Sequence, residues 1–230
     1  MSEFVLDPPS QASVAVAGSD VRFAVRRIFC VGRNYAAHAR EMGKDPDREA
    51  PFFFTKPADA VLDSSATIPY PPLTQNLHYE AELVVAMGAG GVNISQEQAL
   101  DHVWGYACGV DLTRRDLQTQ AKNAGRPWDW GKAFDRSAPC APLHSVEQVG
   151  HLDGAGIGLK LNGETKQSAH LSDMIWSVPE IISILSRSVA LCPGDLVFTG
   201  TPAGVGPMVA GDSCTVEIDG LTPLQFSIAL

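Results

Sequence analysis

The chain of 230 residues is long enough for one sizeable domain, and 45% hydrophobic with 19% charged residues excludes both a disordered and a fibrous polymer. A formal net charge of −9 argues against non-specific nucleic-acid binding, which needs clustered Lys and Arg, and favours a small ligand. The cysteines, Cys30, Cys108, Cys140, Cys192 and Cys214, are odd in number and never two or four residues apart. They indicate neither a zinc knuckle nor a disulfide framework, and a reducing cytoplasm is the expected setting. Residues 1–10 carry Glu3, Asp7 and two prolines instead of a basic then apolar leader, and no apolar run reaches the roughly 18 residues of a membrane span.

In chain order, residues 1–25 alternate weakly and read as a hairpin or N-terminal strand extension. Ile28–Val31 reads as a strand, followed by the turn Gly32-Arg33-Asn34-Tyr35, a brief helix over Ala36–Met42 and a polar, lid-like segment to Arg48. Phe52–Thr55 and His78–Ala86 are predicted strands. Ser95 with Gln98 predicts a capped helix to about Val103, Trp104–Leu112 a strand, and Thr113 a helix cap with the helix ending before Gly125. Asn162-Gly163 predicts a two-residue hairpin turn, Asp219-Gly220 a second one, and Ser177-x-x-Glu180 with Pro179 the start of an apolar helix to about Arg187. Short strands outnumber helices. The expected class is α+β, mainly β, a single domain with a rolled or sandwiched sheet and helices at its edges. The glycine clusters at Gly88–Gly91 and Gly154–Gly158 lack the context of a dinucleotide fingerprint and read as turns.

Alternation along His78–Leu83 puts Glu80 and Glu82 on one strand face, an arrangement that also describes a solvated sheet surface. Asp111 changes the balance, because it ends an otherwise apolar strand where an unpartnered acid is costly. Three carboxylates at one point repel by roughly 4 kcal/mol per pair at 4 Å in a medium of effective dielectric 20, and a divalent cation removes that repulsion. An all-oxygen donor set suits Mg²⁺, with Mn²⁺ or Ca²⁺ as substitutes. His38 and Glu41, three apart, share a helical face on which the carboxylate would orient the imidazole to activate a water, although the same pattern describes a surface ion pair. Lys132, amid Trp128, Trp130 and Phe134, is either a desolvated cation for a developing oxyanion or a stem covering an aromatic patch.

Taken in order, Gly32-Arg33-Asn34-Tyr35 with His38-x-x-Glu41, Glu80-x-Glu82, Gly105-Tyr106 to Asp111, Arg114-Arg115-Asp116-x-Gln118, Lys132-x-Phe134-Asp135, Leu161-Asn162-Gly163-Glu164 and Pro193-Gly194-Asp195 to Gly206 resemble the fumarylacetoacetate hydrolase family over residues 26–230. The resemblance implies a mixed β-sandwich roll, usually a homodimer, with Mg²⁺ on Glu80, Glu82 and Asp111. It also implies a water-activating dyad of His38 and Glu41, Lys132 at the reacting carbonyl, and Arg33, Lys56, Arg115, Gln118 and Thr201 around the substrate. Residues 1–25 fall outside it. The implied reaction is hydrolysis of the carbon–carbon bond of an acylpyruvate, fumarylpyruvate foremost. Oxaloacetate decarboxylation or keto–enol isomerisation on the same site is the alternative, and a non-catalytic keto-acid binding protein is the alternative from another class. For a second substrate carboxylate the candidate cations are Arg40, Lys44 and Arg126, with Arg40 first.

Overall fold

The computed structural model describes residues 4–35 and 49–230. The expected helix over 36–42 and the polar segment to residue 48, with His38, Arg40, Glu41 and Lys44, lie outside the described residues. The chain is mostly strand with few helices, the expected mainly β class. Its largest sheet runs in the order Phe52–Lys56, Arg27–Gly32, Asp195–Phe198, Ala81–Met87, Val103–Val110, Ala138–Cys140 and Val61–Asp63, with His144–Ser145 also on Val103–Val110. A five-stranded sheet (Glu164–His170, Gly156–Leu161, Ser213–Ile218, Leu224–Ile228 and Ala66–Ile68) faces it.

The central strand Ala81–Met87 is buried on both faces, as its unbroken apolar sequence after Glu82 requires. Leu83, Val85 and Met87 enter the core shared with Leu159, Val216 and Leu224 of the facing sheet and with Ile181, Ile182 and Leu185. Val84 and Ala86 enter a second core with Ile28, Cys30, Leu196 and Phe198. The N-terminal residues do form a hairpin, Ser13–Ala15 against Arg22–Ala24, and Val14 caps this second core.

Several expected elements are realised. The Asn162-Gly163 turn has both residues at positive φ, 52° and 81°, and joins Gly156–Leu161 to Glu164–His170. The apolar helix spans Val178–Ser188, and its Glu180 carboxylate accepts from Ser177 N–H at 3.0 Å. Others differ for local reasons. The predicted strand 78–86 is two strands, because Leu77–Tyr79 pairs with Thr113–Arg114 and Gly206–Met208 in a small separate sheet and the chain changes sheets at Glu80. The helix expected over 95–103 shrinks to a single 3₁₀ turn, Ala99–His102, since Val103 already begins a strand and the His102 carbonyl accepts from Gly88 and Ala89. Thr113 does not cap the next helix; it pairs with His78, and the helix starts later as Arg115–Asn123. At Asp219-Gly220 only Gly220 has positive φ, so that connection is a longer loop than a two-residue turn.

A short helical turn, Asp129–Lys132, packs on the helix Arg115–Asn123 at Gly131. A Cβ there would lie 2.9 Å from the Gln118 backbone nitrogen, Cα and Cβ. This close approach holds Lys132 and Gln118 side by side. Gly131→Ala is therefore expected to lower stability by about 1–3 kcal/mol through overpacking. Urea denaturation reads this as a lower midpoint at constant m-value; an unchanged midpoint would show that the two helices separate freely.

Candidate active site

The register of the central pair builds the site. Ala81 pairs with Val110, so Glu80 and Asp111 leave the two strands side by side, joined by the hydrogen bond from Asp111 N–H to the Glu80 carbonyl at 2.9 Å. Glu82 follows one residue inside the strand. Carboxylate oxygens of Glu80, Glu82 and Asp111 all lie within 4.8 Å of one another, and all three side chains are buried.

Three cations meet these acids. Lys132 Nζ donates to Glu80 at 2.8 Å, Asp111 at 2.6 Å and the Thr113 hydroxyl at 2.6 Å. The Arg115 guanidinium donates to Glu80. Lys56 Nζ is 2.8 Å from Asp111 Oδ1, but its hydrogen bonds go to the Leu112 and Lys132 carbonyls at 3.1 and 2.5 Å. Asp111 Oδ1 thus remains a buried charged oxygen with no hydrogen-bonded partner among the described residues. Burial, then the charges of Asp111 and Glu80, push the Glu82 carboxyl well above the usual carboxylate range; Lys132 and the Gly200 N–H at 2.8 Å only partly offset this. A hard divalent cation fits this set of clustered carboxylate oxygens and would offset the mutual repulsion that raises Glu82.

Lys132 is 2% exposed. Burial works against its ammonium, but Asp111 and Glu80 outweigh that and hold its pKa above the ordinary lysine value. With those acids beside it the ammonium form is favoured. Its Nζ also stands 5.0 Å from the Phe54 ring centre, so both readings of the sequence apply: the ammonium is desolvated and its surroundings are aromatic.

Glu80 and Glu82 open into a small cavity of about 50 Å³, also lined by Arg115, Gln118, Thr201, Lys132 and Arg33, while Asp111 lies beneath its lining. Through Arg33, Phe52, Phe54, Trp128 and Lys132 it shares its wall with a wider cleft of about 590 Å³. Of the residues expected around the substrate, Arg33, Arg115, Gln118 and Thr201 are there. Lys56, also expected there, is not among the lining residues; it is 2% exposed, behind Asp111, with its ammonium committed to two carbonyls and that acid.

Sequence reasoning misses the supports. Gln167 accepts from Ala81 N–H at 3.0 Å and donates to the Thr201 hydroxyl and the Pro202 carbonyl, both at 2.8 Å, tying the Glu80–Glu82 strand to the Thr201 loop across more than eighty residues of chain. Nothing in its alternating strand distinguishes it. His78 lies 3.4 Å from Arg115 Nε as an acceptor, its pKa lowered to about 4 by burial and then by the Arg115 charge. Phe52, Phe54 and Lys122 read only as strand or helix residues in sequence, yet all three line the cavity.

Residues 27–229 match the family described as fumarylacetoacetate (FAA) hydrolase, C-terminal. Over 189 residues, 81% of this chain and 98% of the relative, the chain is 44% identical to a fumarylpyruvate hydrolase from a Ralstonia species. It is 40% identical over 202 residues, 88% of this chain and 90% of the relative, to the mitochondrial oxaloacetate tautomerase of Arabidopsis thaliana. The crystal structure of fumarylpyruvate hydrolase from Pseudomonas aeruginosa in complex with Mn²⁺ and pyruvate matches at a TM-score of 0.98 and 53% identity, covering 99% of this chain and 100% of that one.

The placement of Lys56 has a measurable consequence. Lys56→Met leaves Asp111 short of a buried counter-charge and is expected to destabilise the metal-free protein by about 3–5 kcal/mol. Added divalent cation should restore part of the loss in a thermal melt. A variant of normal stability with a raised KM would instead put Lys56 in contact with substrate.

Proposed function

The chain belongs to the fumarylacetoacetate hydrolase family, and on that premise we propose that it hydrolyses the carbon–carbon bond of an acylpyruvate, fumarylpyruvate foremost, with Mg²⁺ held by Glu80, Glu82 and Asp111. It is a hydrolase acting on carbon–carbon bonds in ketonic substances. The observation that carries the proposal is the convergence of three buried carboxylates under a cavity that also presents Lys132, Arg115, Gln118 and Thr201. Mg²⁺ over Mn²⁺, fumarylpyruvate over other acylpyruvates, a catalytic domain over residues 26–230 and a homodimeric state all belong to the proposal.

A bound divalent cation supplies Lewis acidity toward the pyruvoyl end of the substrate. The remaining work falls to the chain. His38, oriented by Glu41, takes a proton from water, and the resulting hydroxide attacks the carbonyl remote from the pyruvoyl carboxylate. The bond between that carbonyl carbon and the adjacent methylene then breaks, its electron pair leaving as the enolate of pyruvate, which a proton quenches. Lys132 is held protonated, and its N–H donors lie at the cavity floor, where an alkoxide would form only after attack. Glu80 and Asp111, to which Lys132 donates here, are also the residues that would hold a divalent cation with Glu82. Arg115 and Gln118, linked at 2.5 Å, and the Thr201 hydroxyl orient substrate oxygens. Lys56 keeps Asp111 in place from behind.

The similarity to an oxaloacetate tautomerase favours a second reading, keto–enol isomerisation of oxaloacetate on the same site. That reaction, like decarboxylation, needs a stabilised enolate and no attacking water. Lys132 beside the complete acid triad argues against a non-catalytic keto-acid binder, and metal-dependent turnover of any acylpyruvate discriminates the two.

Two measurements test this. Chelator-treated protein should lose fumarylpyruvate hydrolysis, followed as absorbance loss, and regain it with Mg²⁺ along with a higher melting temperature. Full activity after chelation with an unmoved melting temperature would refute the metal assignment. His38→Ala and Glu41→Gln should each abolish hydrolysis, the double variant being little worse than either, while oxaloacetate tautomerisation is affected less. Equal loss of both reactions would reduce the pair to a general positioning role.

A further inference from the structure

We propose that Lys122 determines specificity for dicarboxylic acylpyruvates by receiving the substrate carboxylate remote from the pyruvoyl end, an assignment that rests on the hydrolase reading above. The other cations of the site already have partners. Lys132, Arg115 and Lys56 are each engaged with the site's own acids, and the Arg33 guanidinium stacks 5.3 Å over the Phe52 ring. Lys122 lines the same cavity, is exposed, and forms no ion pair with a described carboxylate.

The helix Arg115–Asn123 sets its place. Arg115, Gln118 and Lys122 stand at i, i+3 and i+7, one face of the helix, and all three line the cavity. At a rise of 1.5 Å per residue Lys122 stands about 10 Å along the axis from Arg115, and its flexible four-carbon stem extends the reach. One face therefore carries a cation beside Glu80, an amide in the middle and a second cation at the far end. This matches an extended diacid with its keto-acid end at the carboxylate cluster.

The walls between these ends fit the same ligand. Phe52 and Trp128 meet edge to face with ring centres 5.1 Å apart, and Phe54 stands 5.9 Å from Trp128. A planar, conjugated acyl chain packs against such rings. A terminal carboxylate carried in with it loses water along those walls and needs a charged donor. Of the cations expected from sequence, Arg126 lines a different groove, with Leu73, Leu117 and Trp130, while Arg40 and Lys44 lie outside the described residues.

Lys122 also sits in the last helical turn, where any cation suits the helix dipole, so a stability change does not test the assignment. Substrate discrimination does. We would measure kcat/KM for fumarylpyruvate and for acetylpyruvate, which lacks the second carboxylate, in the wild type and in Lys122→Gln, Lys122→Glu and Lys122→Arg with Mg²⁺ present. Lys122→Gln should lower the fumarylpyruvate-to-acetylpyruvate ratio about 2- to 5-fold, the worth of an ion pair to an exposed lysine, and chiefly through KM. Lys122→Glu should lower it further, and Lys122→Arg should restore most of it. A fumarylpyruvate-active wild type whose ratio survives both Lys122→Gln and Lys122→Glu overturns the Lys122 assignment alone. A wild type that turns over neither compound overturns the hydrolase reading and this assignment with it.

Discussion

Three carboxylates forced together in a nearly dry interior form the constraint around which this fold is arranged. Glu80, Glu82 and Asp111 repel one another, and burial alone already opposes the charge on Glu82. The chain answers with Lys132, Arg115 and Lys56, none of them freely solvated, and each is delivered by a different element. Lys56 ends the edge strand Phe52–Lys56, Arg115 begins a helix, and Lys132 ends a short helical turn. The balance is incomplete in one respect: burial and the two neighbouring acids still oppose the charge on Glu82, and no lysine or arginine among the described residues forms an ion pair with it.

That arrangement depends on how the backbone changes sheets. The chain leaves the small sheet at Tyr79 and enters the large one at Ala81, so Glu80 occupies the joint between them. The neighbouring strand ends at Val110, which puts Asp111 at the same joint. Backbone groups no longer claimed by a ladder are then available to hold the acids, as Gly200 N–H holds Glu82. Gly200 adopts φ 97°, and a Cβ there would lie 2.6 Å from Asn34 Cβ. Asn34 in turn donates to the Thr199 and Trp176 carbonyls at 2.8 and 2.9 Å, binding the Arg33 turn to the loop that supports Glu82. The Arg33 turn and the Glu82 acid are thereby braced against one another.

The acid cluster was legible because its logic is chemical. Alternation placed Glu80 and Glu82 together, and an acid at the end of the apolar run Trp104–Leu112 needed a reason to be there. Structure-forming signals with a local mechanism also held: the Asn162-Gly163 turn and the Ser177–Glu180 capping box depend only on residues a few positions apart. Signals that tertiary pairing could override did not hold. Ser95 and Gln98 do meet, at 3.4 Å, but no helix extends from them to Val103, because the strand Val103–Val110 claims the residues that would have propagated it. Thr113 has a good capping side chain, yet its backbone is used by His78 and its hydroxyl by Lys132.

From the sequence alone came the family, the mainly β class and the identity of the acids and of Lys132, since each rests on residue type and short spacing. The tertiary structure alone decided which cation serves which acid. Lys56 and Arg115 were indistinguishable in sequence as substrate-binding residues, but one is buried behind Asp111 and the other faces the cavity. Gln167, Phe52, Phe54 and Lys122 carried no signal, because their importance comes from contacts between segments remote in the chain, and a side chain's partner across a sheet is fixed by strand order and register.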